Sequence, residues 1–142
     1  MEAFSVPDTE TKNFMQHVFT HDTFTEFEVR GVMVQSFTRF EITGDKDGET
    51  YCNWKELRPY IRNIIKGNEK PRAMKFIFAR GNPEALHPNA AALFLNINYD
   101  GEKINITTAC SQKNFELNKN VDIEWDRWVA DFFNKIGIKL ER

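Results

Sequence analysis

Only two of the 142 residues are cysteine, and Cys52 and Cys110 stand far apart with no paired spacing. That excludes a disulfide framework or a zinc-knuckle pattern, and two reduced thiols are the expectation. Glycine is sparse too: the seven residues are scattered, so neither a phosphate-binding loop nor a dinucleotide fingerprint is present. No apolar run approaches the length of a membrane span. The opening Met1-Glu2-Ala3-Phe4-Ser5 lacks a basic start followed by an apolar stretch, and a cytoplasmic protein with no membrane contact is expected. Serine is present at positions 5, 36 and 111, but none sits in the strained turn, beside a base, that a nucleophile requires.

What the chain has in plenty is phenylalanine, thirteen residues beside three Trp and three Tyr. Each ring carries a large apolar surface that a core or an interface must cover, so an aromatic core is predicted. At this length folding buries roughly two-thirds of the unfolded surface, and the chain is read as one domain over residues 1–142. Net charge is −2, but it is unevenly placed. Residues 1–52 carry ten acidic and four basic groups, residues 53–80 two and eight, and residues 81–142 nine and seven. The middle of the chain is basic.

Periodicity divides the chain into alternating elements. Pro7-Asp8 ahead of Phe14, Met15, Val18 and Phe19 predicts a first helix of about ten residues, capped by Asp8. Over residues 24–52 the period becomes two, which predicts two or three antiparallel strands around a turn at residues 44–48. Asn53-Trp54-Lys55-Glu56 has the spacing of a capping box. It opens a second helix carrying Trp54, Leu57, Ile61, Ile64 and Ile65, ended by Gly67. Pro59 predicts either a kink or a helix proper that begins near Arg58. Residues 73–79 read as a strand, residues 81–89 as a loop, and residues 93–99 and 103–110 as a hairpin turning at Asp100-Gly101. Asp122 is expected to cap a last helix with Trp125, Trp128, Val129, Phe132, Phe133 and Ile136 on one stripe, stopped by Gly137. The order helix, strands, helix, strands, helix predicts an α+β fold, a mainly antiparallel sheet of about five to six strands with about three helices packed on it.

Trp54 with Arg58-Pro59, Ile65-Lys66-Gly67, Leu93-Phe94-Leu95-Asn96-Ile97 with Tyr99, Thr107-Thr108, Ser111, Phe115, Lys119 and Trp125-Asp126 together carry a resemblance. With them the chain resembles, almost from end to end, a family of short bacterial cytoplasmic proteins known only as a domain of unknown function. The resemblance implies a bacterial cytoplasmic protein and supplies no activity, cofactor or catalytic residue. The family's longer members have extra residues at positions 45–51 and 81–90, which fits loops there.

Candidate chemistry is limited. His17 and His21 are four apart, the spacing by which a helix presents two imidazoles to a metal. With no third ligand placed nearby, no metal site is expected, and no cofactor is implied. His87 lies in the predicted loop. In the second helix Lys55, Arg58, Arg62 and Lys66 recur at helical intervals and predict a basic edge, extended by Lys70, Arg72, Lys75 and Arg80. On the hairpin, one face is expected to show Asn96, Asn98, Asn105 and Thr107, with Phe94 as an exposed ring among them. Asparagine is depleted in strands, so this face is a candidate polar platform.

Arg58, Arg62, Lys66, Lys70, Arg72, Phe94, Asn96, Asn98, Asn105 and Thr107 are therefore the candidate contact residues. The preferred class is a non-enzymatic binding or protein-interaction module with an unidentified protein partner. The alternative binds a phosphate-bearing ligand or nucleic acid through the basic edge, and an enzyme of unrecognised type comes third. A pocket gathering Arg58, Tyr99 and Asp126 would favour the enzyme.

Overall fold

The structure, a computed structural model, describes residues 2–66 and 70–142. Three helices pack on a six-stranded antiparallel sheet, in the order helix, strands, helix, strands, helix preceded by one short edge strand. The elements are β1 (Ala3–Ser5), α1 (Thr11–Phe19), β2 (Glu28–Gln35), β3 (Arg39–Ile42), α2 (Trp54–Lys66), β4 (Ala73–Ala79), β5 (Ala90–Tyr99), β6 (Ile104–Gln112) and α3 (Asn120–Lys135). In space the strands run β1-β6-β5-β4-β2-β3. Because side chains alternate along a strand, each contributes one set to the helix side and one to the other. On the helix side lie Val29, Val32, Val34, Phe76, Phe78, Leu93, Leu95, Ile97, Ile104 and Ile106, all buried.

The predicted aromatic core is present. Trp54 of α2 packs edge-on against Phe76, its ring centroid 5.6 Å away, and Phe14 of α1 stacks on Phe133 of α3 at 6.0 Å. Phe24, in the segment after α1, contacts Phe14, Phe78, Phe132 and Phe133. On α3 the stripe divides: Trp125, Val129 and Phe133 are buried, whereas Trp128 and Phe132 are half-buried and stack on each other.

Local details follow residue chemistry, with three corrections. Asp8 does not cap α1. It opens a 3-10 turn, Asp8–Glu10, and its carbonyl accepts the Thr11 amide while Pro7 accepts that of Glu10. The tight turn thus uses amides that a cap would have served. Asp122 is not a cap either, because α3 begins at Asn120 and its N-cap position is Lys119. The third removes one of the two readings of Pro59, a helix proper that begins near Arg58. The helix does not wait for it: α2 starts at Trp54, with Pro59 inside. The capping box explains this early start: Asn53 Oδ1 accepts the Glu56 amide at 3.0 Å, and Glu56 Oε1 accepts the Asn53 amide at 3.5 Å. The Trp54 indole also donates to the Val18 carbonyl at 2.6 Å, fixing the first turn of α2 against α1. Gly67, expected to end this helix, lies outside the described residues.

The hairpin turn has the expected chemistry. Asp100 Oδ1 accepts the amides of Glu102 and Lys103 at 2.9 and 2.7 Å, and Gly101 takes φ +97°. The loop before β5 contains a short 3-10 turn, Pro83–Ala85, and β5 starts at Ala90, earlier than the sequence predicts. No helix among the described residues is long and apolar enough to cross a membrane.

Candidate functional site

The basic edge of α2 does not act as one surface. Arg58 is turned inward: its side chain is 15% exposed, Nη1 donates to the His21 carbonyl at 2.6 Å, and Nη2 is 3.5 Å from Asp22 Oδ1. It joins α2 to the turn that follows α1. Lys55 remains exposed at the start of the helix. Arg72 is exposed, and its backbone amide bonds the Gln35 carbonyl at 2.8 Å. Lys75 lies on the face of the sheet away from the helices, and the Arg80 guanidinium covers the Trp128 ring at 4.9 Å.

Arg62, Lys66 and Lys70 are brought together. They line a cleft of about 630 Å³ that opens between α1 and α2. The α1 wall presents Lys12, Met15 and Phe19, preceded by Asp8 and Thr11, and these positions recur at the spacing of one helical face. The α2 wall is Arg62, Ile65 and Lys66, again one turn. Buried Pro71, Met74 and Tyr99 close the bottom. Lys12, Arg62, Lys66 and Lys70 are all exposed, and none has an ion-pair partner among the described residues. Four cations, with one exposed carboxylate, Asp8, at the start of the α1 wall, therefore rim an apolar hollow. The α1 half was missed in the sequence, although Lys12, Met15 and Phe19 already stood three and four apart on the helix face that holds them.

The hairpin residues also assemble. Asn96 stands opposite Thr107, and Asn98 opposite Asn105, on the sheet face away from the buried core. Among the described residues no helix packs over this face. Phe94 is not the exposed ring expected. It is half-buried, with the Arg30 guanidinium 5.6 Å from its centroid, and the same guanidinium lies 4.0 Å over Tyr51. Arg30 comes from the irregularity in register between Val29 and Gly31, where an extra residue re-aims a side chain.

Other groups are occupied structurally. The His17 and His21 rings lie 4.8 Å apart, and His17 Nδ1 is hydrogen-bonded to Thr23 Oγ1 at 2.6 Å. Burial, then the neighbouring His21, holds His17 below its usual value. Among the described residues no group of three His, Cys, Asp or Glu side chains is placed to hold a metal ion. Cys110 donates from Sγ to Asp122 Oδ1 at 3.0 Å; burial first, then that carboxylate, pushes its thiol up to about 12. A thiol so placed stays protonated at neutral pH and is a poor nucleophile. Asp126 accepts from the Thr108 hydroxyl. Arg58, Tyr99 and Asp126 thus sit in three separate places: at the His21 turn, in the α1–α2 cleft, and beside β6.

Residues 11–141 match a family of unknown function, DUF5721. No curated protein and no solved structure matches the chain.

Proposed function

We infer that this chain, which belongs to the DUF5721 family of unknown function, is a non-enzymatic binding module of the bacterial cytoplasm. Its ligand is a phosphate-bearing or similarly anionic small molecule seated between α1 and α2. One observation carries this: Arg62, Lys66 and Lys70 meet Lys12 around a single apolar cleft, with no carboxylate bonded to any of them among the described residues. Like charges held near one another repel, and a bound anion relieves that repulsion. A concave, mostly apolar hollow with a few convergent polar groups is the usual form of a small-molecule site, and about 630 Å³ lies within the common range. The compartment is supported by two unpaired cysteines, Cys52 and Cys110. Nucleic acid fits less well, because Arg58, Lys75 and Arg80 are each turned to other uses or another face.

Calorimetric titration with octyl phosphate, inorganic phosphate and a single-stranded oligonucleotide tests this reading. The native chain should bind octyl phosphate. An Arg62→Gln, Lys66→Gln double variant, both positions being exposed, should stay folded and bind about tenfold more weakly or worse. Oligonucleotide binding without octyl phosphate binding would favour a nucleic-acid surface. No binding of any of the three at low salt overturns the anionic site, and leaves the uncovered face with Asn96, Asn98, Asn105 and Thr107 as the remaining contact surface.

A further inference from the structure

We propose that the occupant of this cleft is a single-chain amphiphile: an alkyl chain laid along the apolar bottom, ending in a phosphate or carboxylate held by the cations at the mouth. This presupposes the anionic site inferred above and names what fills it. The surfaces inside the cleft are Met15, Phe19, Ile65, Pro71, Met74 and Tyr99. Of the two hydroxyls that line the cleft, Tyr99 Oη donates to the Gly101 carbonyl at 2.9 Å, and Thr11 Oγ1, on the α1 wall, is buried without a hydrogen-bond partner among the described residues. A nucleobase or sugar placed there could meet the Thr11 hydroxyl but would leave its other polar edges without partners, at a cost in desolvation. An alkyl chain has no such edges and removes apolar surface from water.

Charge and depth are separated in the same sense. Pro71, Met74 and Tyr99 are buried, Met15, Phe19 and Ile65 are half-buried, and Lys12, Arg62 and Lys66 are exposed. Lys12 approaches from α1, while Arg62 and Lys66 stand one turn apart on α2, so an anionic head at the mouth faces cations from both walls. Two of the inner side chains are methionines, whose unbranched thioethers adapt to chains of differing length.

Titration of the whole chain with inorganic phosphate and with hexyl, octyl, decyl and dodecyl phosphate, all below their micellar concentrations, tests the occupant. Affinity should rise about fourfold per methylene until the cleft is filled, and decanoate should bind by the same rule. Ile65→Gln should flatten the dependence on chain length, whereas Arg62→Gln, Lys66→Gln should weaken every member by a common factor. Should Ile65→Gln fail to fold, Met15→Gln, on the opposite wall, gives the same readout. Affinity that is anion-dependent but indifferent to chain length overturns the alkyl occupant and leaves the anionic site standing. No binding of any phosphate overturns both. A second arm uses vesicles containing phosphatidic acid: co-sedimentation with vesicles, without binding of monomeric alkyl phosphates, also overturns the occupant, because it points to attraction at a membrane surface and not to the cleft.

Discussion

The guanidinium of Arg58 donates to the backbone carbonyl of His21 at 2.6 Å, across 37 positions of sequence, and its second terminal nitrogen reaches Asp22 Oδ1 at 3.5 Å. A carbonyl just beyond the end of α1 would otherwise need water or a cap. Arg58 supplies a charged donor and sets the spacing of the two helices that wall the cleft. The next cation on the same helix edge, Arg62, is left to line that cleft.

Replacing Arg58 by Ala should therefore behave as a stability change. Hydrogen bonds to charged groups contribute about 1.5–3 kcal/mol, and the side chain is mostly buried, so a loss of that order is expected. Arg62→Gln, at an exposed position without an ion-pair partner among the described residues, should stay within about 0.5 kcal/mol of the native chain. Urea denaturation of the two variants checks both. An Arg58→Ala chain as stable as the native one would show that the contact with His21 does not hold the helices.

The α3 stripe makes a graded prediction. Phe133 is 1% exposed and contacts Phe14, Phe24 and Phe132, so Phe133→Ala should cost about 3–5 kcal/mol. Phe132 is only half-buried and stacks on Trp128. Its replacement by Ala should cost clearly less than that of Phe133. Equal losses in chemical denaturation would mean that the two neighbouring rings share the core evenly, contrary to their exposure.

The fold was legible because its signals are local and repeat. Period two located β4 at Ala73–Ala79, Asp100-Gly101 located the hairpin turn, and the Asn53–Glu56 capping box located the start of α2. Where two local signals competed, the residue pattern did not rank them. Pro59 left open either a kink or a late start for α2, and the Asn53 cap and the Trp54 bond to Val18 go with the early start that excludes the second. The candidate site was half legible. Helical spacing put Arg62 and Lys66 on one edge, yet it could not show that Arg58, on that same edge, would find a carbonyl 37 residues earlier. Nor could it bring Lys12 across from α1, because the cleft exists only once two helices and the ends of β4 and β5 have met. Phe94 was misjudged for a similar reason: the guanidinium beside it comes from Arg30, at an irregularity in register that alternation alone does not reveal.

A pH dependence follows from His17. In the folded chain, burial and the neighbouring His21 hold its pKa below 6.5, while in the unfolded chain it titrates near that ordinary value. Above 6.5 both states carry a neutral ring, and the stability tied to this position is fully present. As pH falls through 6.5 the unfolded chain takes up the proton more readily, so stability declines until the folded ring is protonated too. Once protonated, that ring lies beside His21, whose centroid is 4.8 Å away. His17→Gln removes the titrating group and should make the urea midpoint less sensitive to pH just below 6.5. The check is the difference between native and variant midpoints, measured from about pH 8 to about pH 5, which separates His17 from the carboxylates that titrate lower. A difference that stays constant across this range would show that His17 titrates alike in both states, and that its packing between Thr23 and His21 does not favour the neutral ring.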